Sequence, residues 1–264
     1  MITIEKYVKP KDLSQAYDLL NTNDKAAIVG GGFFMRLASR KIGLAIDLSG
    51  AGLDFIRETD DHIEIGAMAT FSQLERSSVL HKNLAGIIPL ALANIPGVQM
   101  KNMVSVGGTI YSKYGFSELL TALMVLDCRV ALYKKGRLSL AEFFNLKDKT
   151  GDILERVLLK KEPLQASYKM FRNSAGGLPI LSAAVSKGGA GVKIAVGARP
   201  AVAAQAVRAI EYLNGSTYNK DSADEAGAIA AAELTFTTDR MASAEYRRQL
   251  CQVLVRRALM EVEG

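Results

Sequence analysis

Between His62 and Gly66 the chain alternates, His-Ile-Glu-Ile-Gly, with isoleucine at every second place. A period of two is that of a strand with one covered face. Leu13, Ala16, Tyr17 and Leu20 follow instead the i, i+3, i+4, i+7 spacing of a helix face, with Asp12 and Ser14 as candidate caps. The same reading predicts strands near residues 2–7, 26–29, 44–46, 129–133, 153–159 and 168–172. Two more, at 179–186 and 192–196, are joined by a Gly188-Gly189-Ala190-Gly191 turn. Helices are expected near 71–76 and 83–94, from about 117, at 201–213 and 221–233, and over 243–262. Pro96-Gly97 ends the second of these, and Gly136 punctuates a hairpin running into Leu138 and Leu140. In the last helix Tyr246, Leu250, Val253, Leu254 and Ala258 are assigned to the buried face, and Arg247, Arg248 and Arg256 to the polar one. The texture changes near Glu162-Pro163, which places a boundary near residue 165. Mixed α and β with glycine loops precede it, and an α+β part follows.

Composition narrows the picture. The 264 residues are 49% hydrophobic, enough for a core and against disorder. No apolar run reaches the roughly 18–20 residues of a membrane span. The first residues show no signal-peptide core. Cys128 and Cys251 are isolated, which suits a reducing cytoplasm. With His62 and His81 far apart, no zinc, haem or iron–sulfur ligand set is apparent. The net charge of +6 is spread along the chain without a basic stripe, so no nucleic-acid partner is expected.

Candidate chemistry lies in two glycine loops. Ala27-Ile28-Val29 runs into Gly30-Gly31-Gly32, and Ser105-Val106-Gly107-Gly108-Thr109 likewise follows an apolar or extended run. Glycine lets backbone approach a ligand and lets successive N–H groups face one concavity, so such loops suit phosphate. Glycine turns also end strands for structural reasons alone, and both readings stand. Neither loop fits a P-loop or the dinucleotide fingerprint. Glu118, at the start of a Leu-rich helix, either complements the helix dipole or accepts hydrogen bonds from a ligand hydroxyl. Ser105 and Ser112 lack a histidine or acid at a recognisable spacing. A ligand cradle without acid–base machinery assigns the chemistry to a cofactor.

These residues resemble the FAD-binding, or medium, subunit of the molybdenum hydroxylases over essentially the whole chain. Ala27 to Gly32 lies where the family has Ala-Gly-Gly-Thr-Asp, and Ala45-Ile46-Asp47-Leu48-Ser49 is similar to its Val-Ile-Asp-Leu-Ser. Ile63 to Thr70 resembles its Ile-Gly-Ala-x-x-Thr segment, and Ser105 to Thr109 its Thr-Ile-Gly-Gly-Asn loop. The run from Ala242 to Leu250, with Val253 to Leu259, is close to the family's ending.

The resemblance implies an α+β fold. A PCMH-type FAD-binding domain over 1–165, of two α+β subdomains at about 1–57 and 58–165, precedes an α+β C-terminal domain over 166–264 with a three-stranded sheet. It implies FAD with its pyrophosphate between the loops. Val29, Gly30, Gly31, Gly32, Phe33, Phe34 and Met35 form one wall, and Ser105, Gly107, Gly108, Thr109 and Ile110 the other. Glu118 takes the family's Asp position near the adenosine, and Leu154 and Arg172 fall near the flavin ring. It implies a partner subunit with [2Fe–2S] clusters, another with molybdenum cofactor, and NAD or another electron acceptor. Three departures stand out: Phe33-Phe34 for Thr-Asp, Thr109 for Asn, and residues 112–117 without the usual Asn-Ala-Ser-Pro-Ala-Ala. The expected function is an electron-transfer subunit. The rival readings are a flavin-free assembly protein on the same fold and a stand-alone flavin reductase.

Overall fold

The computed structural model describes residues 1–146 and 151–263. Its chain gathers into two units, each assembled from separate pieces. The first comprises Met1–Leu74, Gly97–Ser112 and Cys128–Lys160, and the second Glu75–Pro96, Lys113–Asp127 and Lys161–Gly264.

The first unit opens with β1 (Thr3–Val8), β2 (Ala26–Val29) and β3 (Lys41–Asp47), a parallel sheet in the order β1-β3-β2. Ile42, Leu44, Ala45 and Ile46 of the central strand are buried, which is why that stretch reads as apolar. Parallel strands need a crossover, and helix Leu13–Thr22 supplies it between β1 and β2. Asp12 is its cap, accepting from the Gln15 N–H at 2.8 Å, whereas Ser14 lies inside the helix.

An antiparallel sheet follows: β4 (Ile56–Glu58), β5 (His62–Gly66), β6 (Cys128–Leu132), β7 (Gly136–Ser139) and β8 (Leu154–Lys160), in the order β4-β5-β8-β6-β7. β5 keeps its alternation, with Ile63 and Ile65 buried and His62 and Glu64 partly exposed. The hairpin at Gly136 is present, but Leu140 is not part of it. Ser139 and Glu142 form a capping box that starts the helix Leu140–Asn145 there.

The sheet of the second unit is antiparallel: β9 (Leu164–Phe171), β10 (Leu181–Gly188), β11 (Gly191–Gly197) and β12 (Ala204–Gln205), in the order β12-β11-β10-β9. Three strands are long, and the fourth is a two-residue edge. Leu181, Ala183, Val185, Val192, Ile194 and Val196 turn one face into a core shared with helices Val207–Asn214, Lys220–Glu233 and Ala244–Glu263. The first of these starts at Val207 rather than at 201, because residues 204–205 pair with β11 instead. Alternate residues of β10 face the other way. There the Ser182 hydroxyl lies 3.1 Å from that of Thr121, and the Ser186 hydroxyl donates to the Val125 carbonyl at 2.5 Å. Thr121 belongs to helix Glu118–Leu123, all six residues of which are buried.

The last helix corrects the expected face. Its buried stripe is Arg247, Cys251, Leu254, Val255, Ala258, Leu259 and Val262, while Tyr246 is exposed. Arg247 is 0% exposed. Its guanidinium donates to the carbonyls of Ile180 (3.1 Å), Thr237 (2.7 Å) and Ala242 (3.0 Å) and to the Asp239 carboxylate (2.8 Å). A charge so fully paired is tolerated where an unpaired one is not. Among the described residues no helix is long and apolar enough to cross a membrane.

Candidate functional site

Strand β2 ends at Val29 and delivers the chain into Gly30-Gly31-Gly32, after which Phe33 and Phe34 lead into a single 3-10 turn, Met35–Leu37. Gly31 and Gly32 have φ of +76° and +72°. A Cβ at Gly31 would stand 1.7 Å from the Met103 carbonyl oxygen, so both the dihedral and the close approach require glycine. Among the described residues, the backbone N–H groups of Gly31, Gly32 and Phe33 have no hydrogen-bond partner. Successive free donors in a left-handed turn make an anion-binding nest.

The second loop is built differently. Val106–Ser112 is a helix with Gly107 and Gly108 in its first turn, where a glycine turn was expected. Its leading donors are all committed. Val106 N–H bonds the Ala69 carbonyl at 2.9 Å, Gly107 N–H that of Ala67 at 2.7 Å, and Thr109 N–H that of Ser105 at 3.0 Å. Gly108 N–H bonds the Ser105 hydroxyl oxygen at 3.2 Å, and that hydroxyl donates to the Gly30 carbonyl at 2.9 Å. Ser105 therefore ties the two loops together.

The two adjacent glycines serve two neighbours. A Cβ on Gly107 would meet that of Ala67 at 2.8 Å, and one on Gly108 would meet the Gly30 carbonyl oxygen at 2.8 Å. The second loop holds the first in shape, and the donors left for an anion are those of the first.

Thr109 and Ile110 are buried in the same helix, with the Thr109 hydroxyl on the Ser105 carbonyl at 2.9 Å. That helix packs on β8, whose first residue, Leu154, is also buried. All the expected residues from Val29 to Met35 and from Ser105 to Ile110, and Leu154, thus belong to the first unit.

Glu118 and Arg172 belong to the second. Glu118 is the first residue of its helix, behind the N-cap Ser117, whose hydroxyl oxygen accepts from the Leu120 N–H at 3.2 Å. It is 8% exposed. Burial pushes its carboxyl up to about 7, against the pull of its own N–H and of Arg172. A group half protonated near neutrality gains little from the helix dipole, so the dipole alone does not account for it. Arg172 donates to the Asn94 and Ala175 carbonyls at 2.8 and 3.2 Å.

Two groups lie outside the expected set, one in each unit. Tyr168 on β9 has a buried hydroxyl, and burial, then the Glu118 charge, push its ionisation well upward against the pull of Ser182 and Arg172. No pattern in the sequence marks it. Arg36 stands over the Phe33 ring. Its signal was legible as a cation just past the triple glycine.

Comparison with known proteins identifies the family of the chain. Residues 2–161 match the family described as the FAD binding domain in molybdopterin dehydrogenase. The chain belongs to that family. Residues 166–262 match a second family, the CO dehydrogenase flavoprotein C-terminal domain. This molybdopterin dehydrogenase flavoprotein chain is an oxidoreductase whose cofactor is FAD. It is 28% identical to the nicotine 6-hydroxylase medium subunit of Paenarthrobacter nicotinovorans, over 97% of this chain and 96% of that one. With the glyceraldehyde dehydrogenase medium chain of Sulfolobus acidocaldarius it shares 21% identity over 97% of each chain. Its fold matches a chain of the carbon monoxide dehydrogenase from Hydrogenophaga pseudoflava with a TM-score of 0.91, at 21% identity, covering 100% of this chain and 98% of that one. The three free donors on the first loop fit a dinucleotide pyrophosphate.

Proposed function

We propose that this chain is the FAD-carrying electron-transfer subunit of a multi-subunit molybdenum hydroxylase. The observation that carries the reading is the nest of unpartnered N–H groups on Gly31, Gly32 and Phe33, set directly after β2 in a chain of this family. Bound FAD supplies the exchange between one- and two-electron steps. The protein's own residues hold it. Gly31, Gly32 and Phe33 donate to the pyrophosphate, and Ser105, Gly107 and Gly108 keep their loop rigid. Val29, Gly30, Phe34, Met35, Thr109, Ile110 and Leu154 complete that side. The parts of Glu118 and Arg172 rest on the family resemblance alone.

Electrons arrive in this reading from [2Fe–2S] clusters on one partner subunit, fed by a molybdenum-cofactor subunit, and leave to NAD or another acceptor. The names of the relatives, a medium subunit and a medium chain, support such partners. The buried thiols of Cys128 and Cys251 accord with the reducing cytoplasm that this reading proposes. The reading keeps the division of the chain near residue 165.

An absorption spectrum of the purified chain, before and after adding FAD, tests it. Bands at about 370 and 450 nm, those of bound oxidised flavin, are the expected result. A chain that stays colourless with excess FAD favours the second reading, a flavin-free assembly protein. Phe33-Phe34 motivates that rival, since it removes a hydroxyl and a carboxylate from the loop.

A further inference from the structure

Arg36 follows the cradle, and its backbone N–H donates to the Gly32 carbonyl at 3.3 Å. That bond closes one turn, so the side chain starts beside the free N–H groups. Its guanidinium carbon lies 4.3 Å from the centroid of the Phe33 ring. Phe34 in turn meets Phe33 edge to face, with centroids 5.1 Å apart. Arg36 is exposed, and among the described residues no carboxylate pairs with it.

A guanidinium resting on an aromatic face keeps its N–H donors available at its edge and loses less freedom on meeting an anion. The two phenylalanines therefore act in one direction. They remove a negative charge from an anion cradle and seat a positive one beside it.

We propose that Arg36 is a pyrophosphate-binding residue of this chain, seated by Phe33 so that it adds charge-assisted hydrogen bonds to the donors of Gly31, Gly32 and Phe33. This rests on the FAD reading above. It assigns the loop to the pyrophosphate of the dinucleotide rather than to its rings, and it gives the Phe33-Phe34 departure a role in binding rather than in loss of binding.

The test is titration of the full chain, stripped of flavin, with FAD at several salt concentrations, read by quenching of flavin fluorescence. Arg36→Ala, Arg36→Lys, Phe33→Ala and the Phe33→Ala/Arg36→Ala double variant are compared with the wild type, their folding checked by circular dichroism. Arg36→Ala is expected to weaken binding about tenfold or more, the scale of one charge-assisted pair, and to flatten the dependence on salt. Arg36→Lys restores part of the affinity. The double variant binds like Arg36→Ala, because the ring acts through the cation. If Arg36→Ala holds FAD within about twofold of the wild type with the same salt dependence, the inference is overturned and the FAD reading survives. If the two single losses add in the double variant, the seating by Phe33 is overturned. A wild-type chain that binds no FAD overturns the underlying reading.

Discussion

A fully buried guanidinium with four protein acceptors, as at Arg247, is held by geometry rather than by charge alone. Replacing it with methionine would take this donor from the Ile180 and Thr237 carbonyls and the counter-charge from Asp239, which would keep only the Met241 and Ala242 N–H groups. The expected loss is about 3–5 kcal/mol, measured by urea unfolding. Glu118 gives a pH signature of opposite origin. Its folded value, about 7, lies above the ordinary carboxyl value of 4.5. Between those values the unfolded chain releases a proton that the folded chain keeps, so stability falls as pH rises through that window and levels off above it. The drop amounts to ~3 kcal/mol. Glu118→Gln should abolish that slope in urea melts between pH 5 and 8, and a slope unchanged in the variant would refute the assignment. Ser105→Ala removes the tie between the loops and leaves the Gly30 carbonyl and the Gly108 N–H short of a partner, at a cost of about 1–3 kcal/mol. Of these residues, Ser105 and Glu118 were legible because each sits at a motif boundary. Arg247 was not, since an Arg-Arg pair gives no sign of which member turns inward.

Elements were legible where one face alone is covered. β5 alternates because Ile63 and Ile65 face the core; the helix Glu118–Leu123, buried on every side, was legible through its cap Ser117 instead. Where no face or both faces are covered, periodicity carries nothing. Helix Val98–Met103 has no buried residue. β4 is three residues long. The helix Val106–Ser112 carries two glycines, poor helix formers; it forms because Ala67 and Ala69 present carbonyls to its first N–H groups. That dependence on context makes Gly108→Val informative. The added side chain would press on the Gly30 carbonyl, so FAD retention should be lost while far-UV circular dichroism stays native-like; full flavin occupancy in that variant would remove the second loop from the site. At the other end of the unit, Ser139→Ala should cost about 1 kcal/mol by undoing the capping box of helix Leu140–Asn145.

Across the molecule, the two units interleave along the chain, which passes between them at residues 74/75, 96/97, 112/113, 127/128 and 160/161. Each unit holds one buried thiol, Cys128 in the first and Cys251 in the second. Burial, and then Glu233, push the Cys251 thiol up to about 12, so it should resist thiol reagents until the second unit opens. Labelling during a denaturant titration, located by mass spectrometry, would then report the opening of each unit separately. Rapid labelling of Cys251 in native buffer would contradict the packing. Interleaving also sets an order of events on the ribosome. Thr121 waits for Ser182, 61 residues downstream. At roughly 5–20 residues per second that wait lasts about 3–12 s, during which the apolar helix Glu118–Leu123 lacks β10 and β11, the strands that later pack on it. The second unit begins early in synthesis and closes late, so the nascent chain carries an apolar segment that a holding chaperone would find before its own sheet does.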